Sequence, residues 1–563
     1  MAEFNPGLIM IVGGLLVPLL RGHLRRAFLL ALPVAGFAYT VGLDSGTAVN
    51  LAIFGYTLEV LRVDRLALVW GYIFHIAAFL GVLYAIHEED WLQASMAQVY
   101  MGSAVAAVFA GDLITLFVFW ELTAISSVFL IWATGTERSF RSGMRYLIIQ
   151  VGSGVLLLAG ALLWLADTGS IAFGHIGIES MAGKLIFIAF GIKCAFPLLH
   201  NWLQDAYPEA TVTGTVILSA FTTKLAVYSL ARGFAGTEIL IYIGATMTAF
   251  PIFYAVIEND LRRVLAYSLN NQLGFMVVGI GVGTELSLNG TASHAFSHIL
   301  YKALLFMSMG AVLLRTGTVK GSELGGLYKT MPWTAGFCIV GAASISAFPL
   351  FSGFVSKSMI LSALGIEGRW FVWAVLLFAS AGVFHHSGIK IPYFAFFAHD
   401  SGRRPKEAPL NMLIAMGITA FLCIGIGVYP DALYAILPYP VDYHPYSAAH
   451  VITQLQLLLY SALAFTFLML TGLYPPELKS TNLDFDWLYR RLLPRMRRYL
   501  RHLITDADQE GRRILLELLG NLIRWVGRHH GLNGAMARSH EAGTMVFWTL
   551  AIFLVFLVFY LIG

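Results

Sequence analysis

The chain has 563 residues, 58% of them hydrophobic and only 12% charged, with a net charge of +4. Soluble domains carry about 25% charged residues, so this composition excludes an ordinary soluble domain and indicates a polytopic membrane protein. The 3 cysteines, Cys194, Cys338 and Cys423, lie in apolar runs without metal or redox spacing and read as small core residues.

Apolar runs near the spanning length of about 20 residues recur along the whole chain. They predict helices over 6–20, 26–43, 66–86, 94–111, 113–134, 144–167, 182–203, 210–232, 237–257, 262–284, 290–314, 332–361, 371–397, 409–429, 452–474 and 543–562, sixteen in all. The basic cluster Arg21, Arg25 and Arg26 follows the first apolar run, which marks a retained helix rather than a cleaved leader. The alternating, β-branched stretch TAVNLAIFGYTLEVLRVDRL predicts a short hairpin at the membrane surface. Residues 475–542 carry many arginines and space their leucines as one face of a helix, so they predict an amphipathic helix on the cytoplasmic surface, bent or interrupted at Pro494 and Gly511.

Loop charge sets the orientation. With the N-terminus outside, RGHLRR, TGTERSFRSGMR, ENDLRR and HDSGRRPKEA all fall inside, and the outer loops are poor in Lys and Arg. The acidic HEEDW also falls inside, but acidic residues weigh little in this rule. The expected location is the inner, plasma membrane.

Several charges sit where the bilayer makes them expensive. LFVFWELTAISSVFLIW holds Glu121 among apolar residues, at about 3 kcal/mol for a charge at the bilayer centre. Lys193 falls within the seventh span, four residues before Pro197, and Lys224 within the eighth. His294, His298 and Lys302 recur at i, i+4 and i+8, on one helix face. Lys357 follows a Pro and a Gly, and AGVFHHSGIKIPYF carries His385, His386 and Lys390 as secondary candidates. A lysine near a helix end ordinarily snorkels, and a lone histidine is ordinarily a satisfied core residue. Glu121, Lys193, Lys224, His298 and Lys357, however, occupy five separate spans, as a polar path for protons would. Buried lysines can shed and reload a proton, and histidine titrates near neutrality. A row of His and Lys offers a metal too few anionic ligands, and no cofactor or nucleic-acid motif is present.

The segments KCAFPLLH and SAFPLFSGFVSK both join an apolar helix, an AFPL break and a lysine. Repeats with interrupted helices are a transporter signature.

These stretches, with FVFWEL, LSAFTTKLAVY, ENDLRRVLAYSLNNQLGF and HAFSHILYKALLF, resemble the motifs of the proton-conducting antiporter-like subunits. That family holds the L, M and N type subunits of respiratory complex I, membrane hydrogenase subunits, and the A-type and D-type subunits of Mrp sodium/proton antiporters. The resemblance runs from about residue 95 to 400. It implies an all-α fold of about 14 core transmembrane helices with two inverted five-helix repeats, helices 7 and 12 being broken. The chain then divides into 1–93 (three helices and a periplasmic hairpin), 94–232 and 237–400 (the two repeats), 401–474, the lateral helix 475–542, and a last span at 543–563. By motif, Glu121 and Lys193 resemble the family's ion pair, Lys224 its helix-8 lysine, His294, His298 and Lys302 its helix-11 relay, and Lys357 its terminal lysine. Asp260 and Arg262 match a loop motif and read as structural. The text WLQDAYPEATVTGT departs from the proline-rich turn of complex I subunits, which moves the resemblance toward the Mrp and hydrogenase side.

The resemblance implies a proton-translocating subunit of an Mrp-type sodium/proton antiporter, without cofactor, metal or redox centre of its own. Its expected partners are other membrane subunits, the bilayer, protons and sodium. Two alternatives use the same proton path: a pumping subunit of a complex I-like oxidoreductase or hydrogenase, and the membrane module of an inorganic-carbon uptake complex.

Overall fold

The computed structural model describes residues 3–53, 55–478, 482, 484–531, 534 and 542–562. They divide into two units, Met1–Asn482 and Leu483–Gly563.

The first unit begins with α1 (Gly7–Leu16) and α2 (Gly22–Val41), then an antiparallel hairpin of β1 (Ala48–Ile53) and β2 (Tyr56–Arg62). Next come α3 (Arg65–Ala85), α4 (Trp91–Val108), α5 (Leu113–Trp132), α6 (Glu137–Thr168) and α7 (Met181–Lys193). Short α8 (Asn201–Ala206) leads to α9 (Val212–Ala220) and α10 (Thr222–Gly233), which are separated by a kink at Phe221. There follow α11 (Ile239–Ile257), α12 (Leu261–Val282), α13 (Glu285–Thr316), α14 (Pro332–Ile345) and α15 (Ser352–Ile366). Then α16 (Trp370–Val383) runs into π-type turns on either side of α17 (Lys390–Pro392), before α18 (Leu410–Val428), α19 (Asp431–Tyr434) and α20 (Ala448–Leu470).

Local chemistry explains the boundaries. Asp64, Asp90, Asp112 and Asp260 stand at N-caps and accept backbone N–H groups that the first turn leaves free. Eleven described helices, one of them in the second unit, are long and apolar enough to cross a membrane, and three shorter apolar helices add to them. In lipid every backbone polar group needs an internal partner, which is why the spanning parts are helical. Helices α12 and α13 are buried along nearly their whole length, so the core of the unit runs along them.

The two AFPL segments break their helices in the same way. Ala195 and Leu198 have φ of 61° and 71°, and Ala347 and Leu350 have 57° and 73°. Phe196 N–H bonds Gly191 O in the first break, and Phe348 N–H bonds Ala343 O in the second, both at 3.0 Å. These pairs are all 152 residues apart. The preceding helices repeat as well: Asp112 and Asp260 cap α5 and α12, Thr136 and Thr284 cap α6 and α13, and Gly169 and Gly317 close them with left-handed φ, each pair 148 residues apart. The break also moves Lys193 from the middle of its predicted helix to the last residue of α7.

The second unit contains π-type turns at Leu488–Leu492, α21 (Leu493–His530) and α22 (Ala542–Ile562). Of the bend or interruption expected at Pro494 and Gly511, no interruption occurs. Pro494 lies in the first turn of α21, where its missing N–H has no intrahelical acceptor to lose, and Gly511 lies within one continuous helix of 38 residues. Helix α22 is apolar on every side and exposed along nearly its whole length, as befits a lipid-facing span. Of the lateral segment read from the sequence, residues 479–481, 483, 532–533 and 535–541 lie outside the described residues, as does residue 54 of the hairpin.

Candidate polar path through the first unit

Glu121 stands on α5 between the exposed Val118 and Ile125, one helical turn from each, and is itself half-buried. Its Oε1 is buried and has no hydrogen-bond partner. The room for this carboxylate comes from Gly154 on α6, where a Cβ would overlap Glu121 Oε1.

Lys193 is fully buried at the end of α7. Its Nζ donates to Trp120 O (2.5 Å) and Thr123 Oγ1 (2.9 Å), and lies over the Trp120 ring at 4.4 Å. The expected ion pair with Glu121 is therefore not in direct contact here. The amine bonds the residues on either side of Glu121 and remains within its electrostatic reach. Trp120 is fixed in turn by Ser153 Oγ (3.0 Å), which donates to Ala189 O (2.7 Å).

Lys224 lies just past the kink at Phe221, where the helix leaves a carbonyl free. Its Nζ donates to Ser219 O (2.5 Å) and Thr223 Oγ1 (3.2 Å). His294, His298 and Lys302 do share one buried face of α13. His294 bonds Ser356 Oγ and Gln272 Oε1, both at 3.2 Å. Tyr301 OH also donates to Gln272 Oε1 (3.1 Å). Both ring nitrogens of His298 are buried without a hydrogen-bond partner. This histidine lies within electrostatic reach of Lys224, Lys302 and Lys357. Lys302 Nζ donates to Ser268 Oγ (2.8 Å). Lys357, beyond the second break, donates to Ile345 O (3.2 Å) and lies over Phe275 at 4.8 Å.

Each of these four amines thus ends on a backbone carbonyl or a hydroxyl, and at Lys224, Lys302 and Lys357 no carboxylate is bonded. An ammonium held that way keeps a weaker grip on its proton than one in an ion pair. Asp260 and Arg262 behave as structural residues: Asp260 caps α12, and Arg262 donates to Ala210 O (2.9 Å) and Thr211 O (3.1 Å). The three cysteines are fully buried. Among the described residues no cluster of His, Cys, Asp and Glu is arranged to hold a metal.

The sequence reading missed Gly154, Thr123, Ser268, Gln272 and Ser356. The signal for Gln272 was present in SLNNQ, three consecutive amides in the middle of a buried helix. The glycine and hydroxyl residues gave none, since small residues are common in membrane helices.

A family model described as NADH:quinone oxidoreductase/Mrp antiporter, transmembrane, matches residues 110–384. The D-type subunit of the Na(+)/H(+) antiporter of Alkalihalophilus pseudofirmus is 31% identical over 354 residues, covering 59% of this chain and 71% of that protein. The NADH-quinone oxidoreductase subunit N of Desulforudis audaxviator is 29% identical, covering 73% of this chain and 90% of that one. Among solved structures, a chain of the membrane-bound sulfane sulfur reductase, an archaeal respiratory membrane complex, superposes with a TM-score of 0.69 at 23% identity, over 81% of this chain and 98% of that one.

Proposed function

The chain belongs to the NADH:quinone oxidoreductase/Mrp antiporter family, and we propose that it is the proton-translocating subunit of an Mrp-type complex exchanging protons for sodium. Its class is that of a multi-pass, antiporter-like membrane subunit. The observation that carries the reading is the row of the half-buried Glu121 and the buried Lys193, Lys224, His298, Lys302 and Lys357, whose amines rest on carbonyls and hydroxyls. Intramembrane ionisable residues of this density mark ion pathways.

In the proposed mechanism the Glu121–Lys193 pair opens and closes. The observed geometry fits the open state, with Lys193 held by Trp120 O and Thr123 and Glu121 Oε1 unpartnered. Closing the pair strengthens the hold of Lys193 on its proton, and opening it releases that proton toward Lys224. His298, with both nitrogens free, passes it on to Lys302 and Lys357. Four spans stand between the two broken helices, so the second copy is offset from the first by five, an odd number, and the two cross the membrane in opposite senses as inverted repeats. The basic loops support an N-terminus outside the plasma membrane. The remaining subunits of the complex, and α21 as a lateral element, complete the assembly.

The reading is tested in proteoliposomes holding the complex purified with its native partners. A sodium gradient should drive proton flux, Lys224→Ala should abolish it, and small Mrp-like subunits should co-purify. One observation favours a second reading, a pumping subunit of a complex I-like oxidoreductase: the match to the quinone oxidoreductase subunit covers 90% of that protein. Flavin or iron–sulfur subunits in the same preparation would favour it, and a zinc-bearing soluble partner would favour inorganic-carbon uptake.

A further inference from the structure

The hydrogen-bonded chain continues beyond Lys302. Ser268 Oγ, which accepts from Lys302 Nζ, also accepts from Ser387 Oγ (2.8 Å), and Ser387 Oγ lies 2.8 Å from His386 Nδ1. All four residues are fully buried. His386 and Ser387 stand in the π-type turn between α16 and α17, a geometry that recurs at functional sites. The turn packs closely on the second break, since a Cβ on Gly388 would overlap Ser346 Oγ.

Next to it lies a buried ion pair. Lys390 Nζ forms an ion pair with Glu477 Oε1 at 3.1 Å and donates to the carbonyls of Val256 (2.6 Å) and Glu258 (2.7 Å). The His385 ring stacks on Tyr474 at 5.7 Å. Burial holds the Glu477 carboxyl above its ordinary range, against the opposing pull of Lys390, and Glu258 raises it further. A lysine on the last carbonyls of a helix is a common structural device, and it accounts for the contacts of Lys390 with α11. It does not account for His386, whose Nε2 is buried without a partner, or for the two serines that join this histidine to Lys302.

We propose that Lys390 and Glu477 form the mouth, and His386, Ser387 and Ser268 the wire, of a proton branch that loads Lys302 from the membrane face at which α11 ends. The inference rests on the proton-translocating reading above. In one passage, His386 Nδ1 gives its proton to Ser387 Oγ, the Ser387 proton moves to Ser268 Oγ, and the Ser268 proton moves to the neutral Lys302 amine. Each hydroxyl gains one proton and loses one, so a single charge moves from the imidazolium to Lys302. His386 reloads from the Glu477 side, where Lys390, Glu258 and Tyr474 are the titratable groups facing Glu477.

The test is proton flux through the reconstituted complex, with assembly checked on the same preparation. Ser387→Ala should lower the flux at least about tenfold, and Ser387→Thr, which keeps the hydroxyl, should restore it. His386→Gln should behave as Ser387→Ala does. Glu477→Gln should shift the pH profile of uptake measured from its own face and leave that of the opposite face unchanged, whereas a purely structural role would move both alike. Assembled Ser387→Ala with wild-type flux overturns the branch, as does a Glu477→Gln profile that moves equally at both faces. If His386→Gln does not assemble, the Ser387 pair decides. Lys302→Ala separates the two readings. Flux lost there and kept in Ser387→Ala defeats the branch alone, and flux kept in both defeats the proton path itself.

Discussion

In the first broken helix the lysine stands before the break, and in the second it stands after it. The backbones are otherwise alike, with an alanine and a leucine at left-handed φ in each. Lys193 ends α7 and reaches across to α5. The position 152 residues later is Ile345, and Lys357 reaches back to that very carbonyl. The neighbouring helices trade residues too, at a spacing of 148. Glu121 corresponds to Leu269, Gly154 to Lys302, and Gln150 to His298. One copy therefore sets a carboxylate against a bare glycine, and the other sets a lysine against a serine. A duplicated membrane scaffold can move its charges between positions so long as each amine finds a carbonyl or hydroxyl. On the proposed reading, Glu121 beside Lys193 makes the first copy the one that switches.

Removing that acid should have the largest effect. Glu121→Gln is expected to lower proton flux about 100-fold in an assembled complex, measured as dye-reported acidification of vesicles. If it lowers flux no more than twofold, the two copies do not differ as described. Filling the space around the acid comes next. Gly154→Val should displace the Glu121 carboxylate and destabilise the protein by about 1–3 kcal/mol, seen as a lower Tm together with lost flux. Gly152→Val, two residues away and facing open space, should change neither. Equal effects at 152 and 154 would remove the carboxylate from the argument.

The shared backbone predicts a smaller, symmetrical effect. An L-residue at left-handed φ costs about 1–2 kcal/mol, which glycine relieves in part. Ala195→Gly and Ala347→Gly should each raise Tm slightly and by the same amount, and a clear difference would show that the two breaks are not equivalent. The last effect lies outside both copies. Asp64 caps α3 and pairs with Arg232 at 2.8 Å. Burial pushes its carboxyl up, but the hydrogen bond and charge of Arg232 outweigh this and hold it below the ordinary range. Its contribution is thus present above the ordinary carboxylate range and lost as pH falls through the depressed value. Asp64→Ala should cost about 1 kcal/mol at neutral pH, by thermal unfolding, and the gap from wild type should close on acidification.

The spans were legible because an apolar run sustained over about 20 residues matches the thickness of a bilayer and exceeds what most soluble cores bury. The breaks were legible from AFPL, where proline ends a helix. Two details were not. Lys193 read as mid-helix because the four residues before Pro197 look helical, and only the left-handed Ala195 ends the helix earlier. Gly511 read as a bend or interruption, but the helix runs through it, since one glycine costs a long helix only about 1 kcal/mol. The charged members of the site were legible because lipid makes them anomalous. Ser268, Ser387 and Gly154 were hidden, since their meaning depends on which helix they face, and that is a property of packing rather than of local sequence.

The central claim is that the Glu121–Lys193 pair governs proton movement along the buried row. Its most direct test is proton flux through the reconstituted complex carrying Lys193→Ala, with subunit content measured on the same sample. The account predicts a complete complex whose flux falls to background. A complete complex with wild-type flux would contradict it.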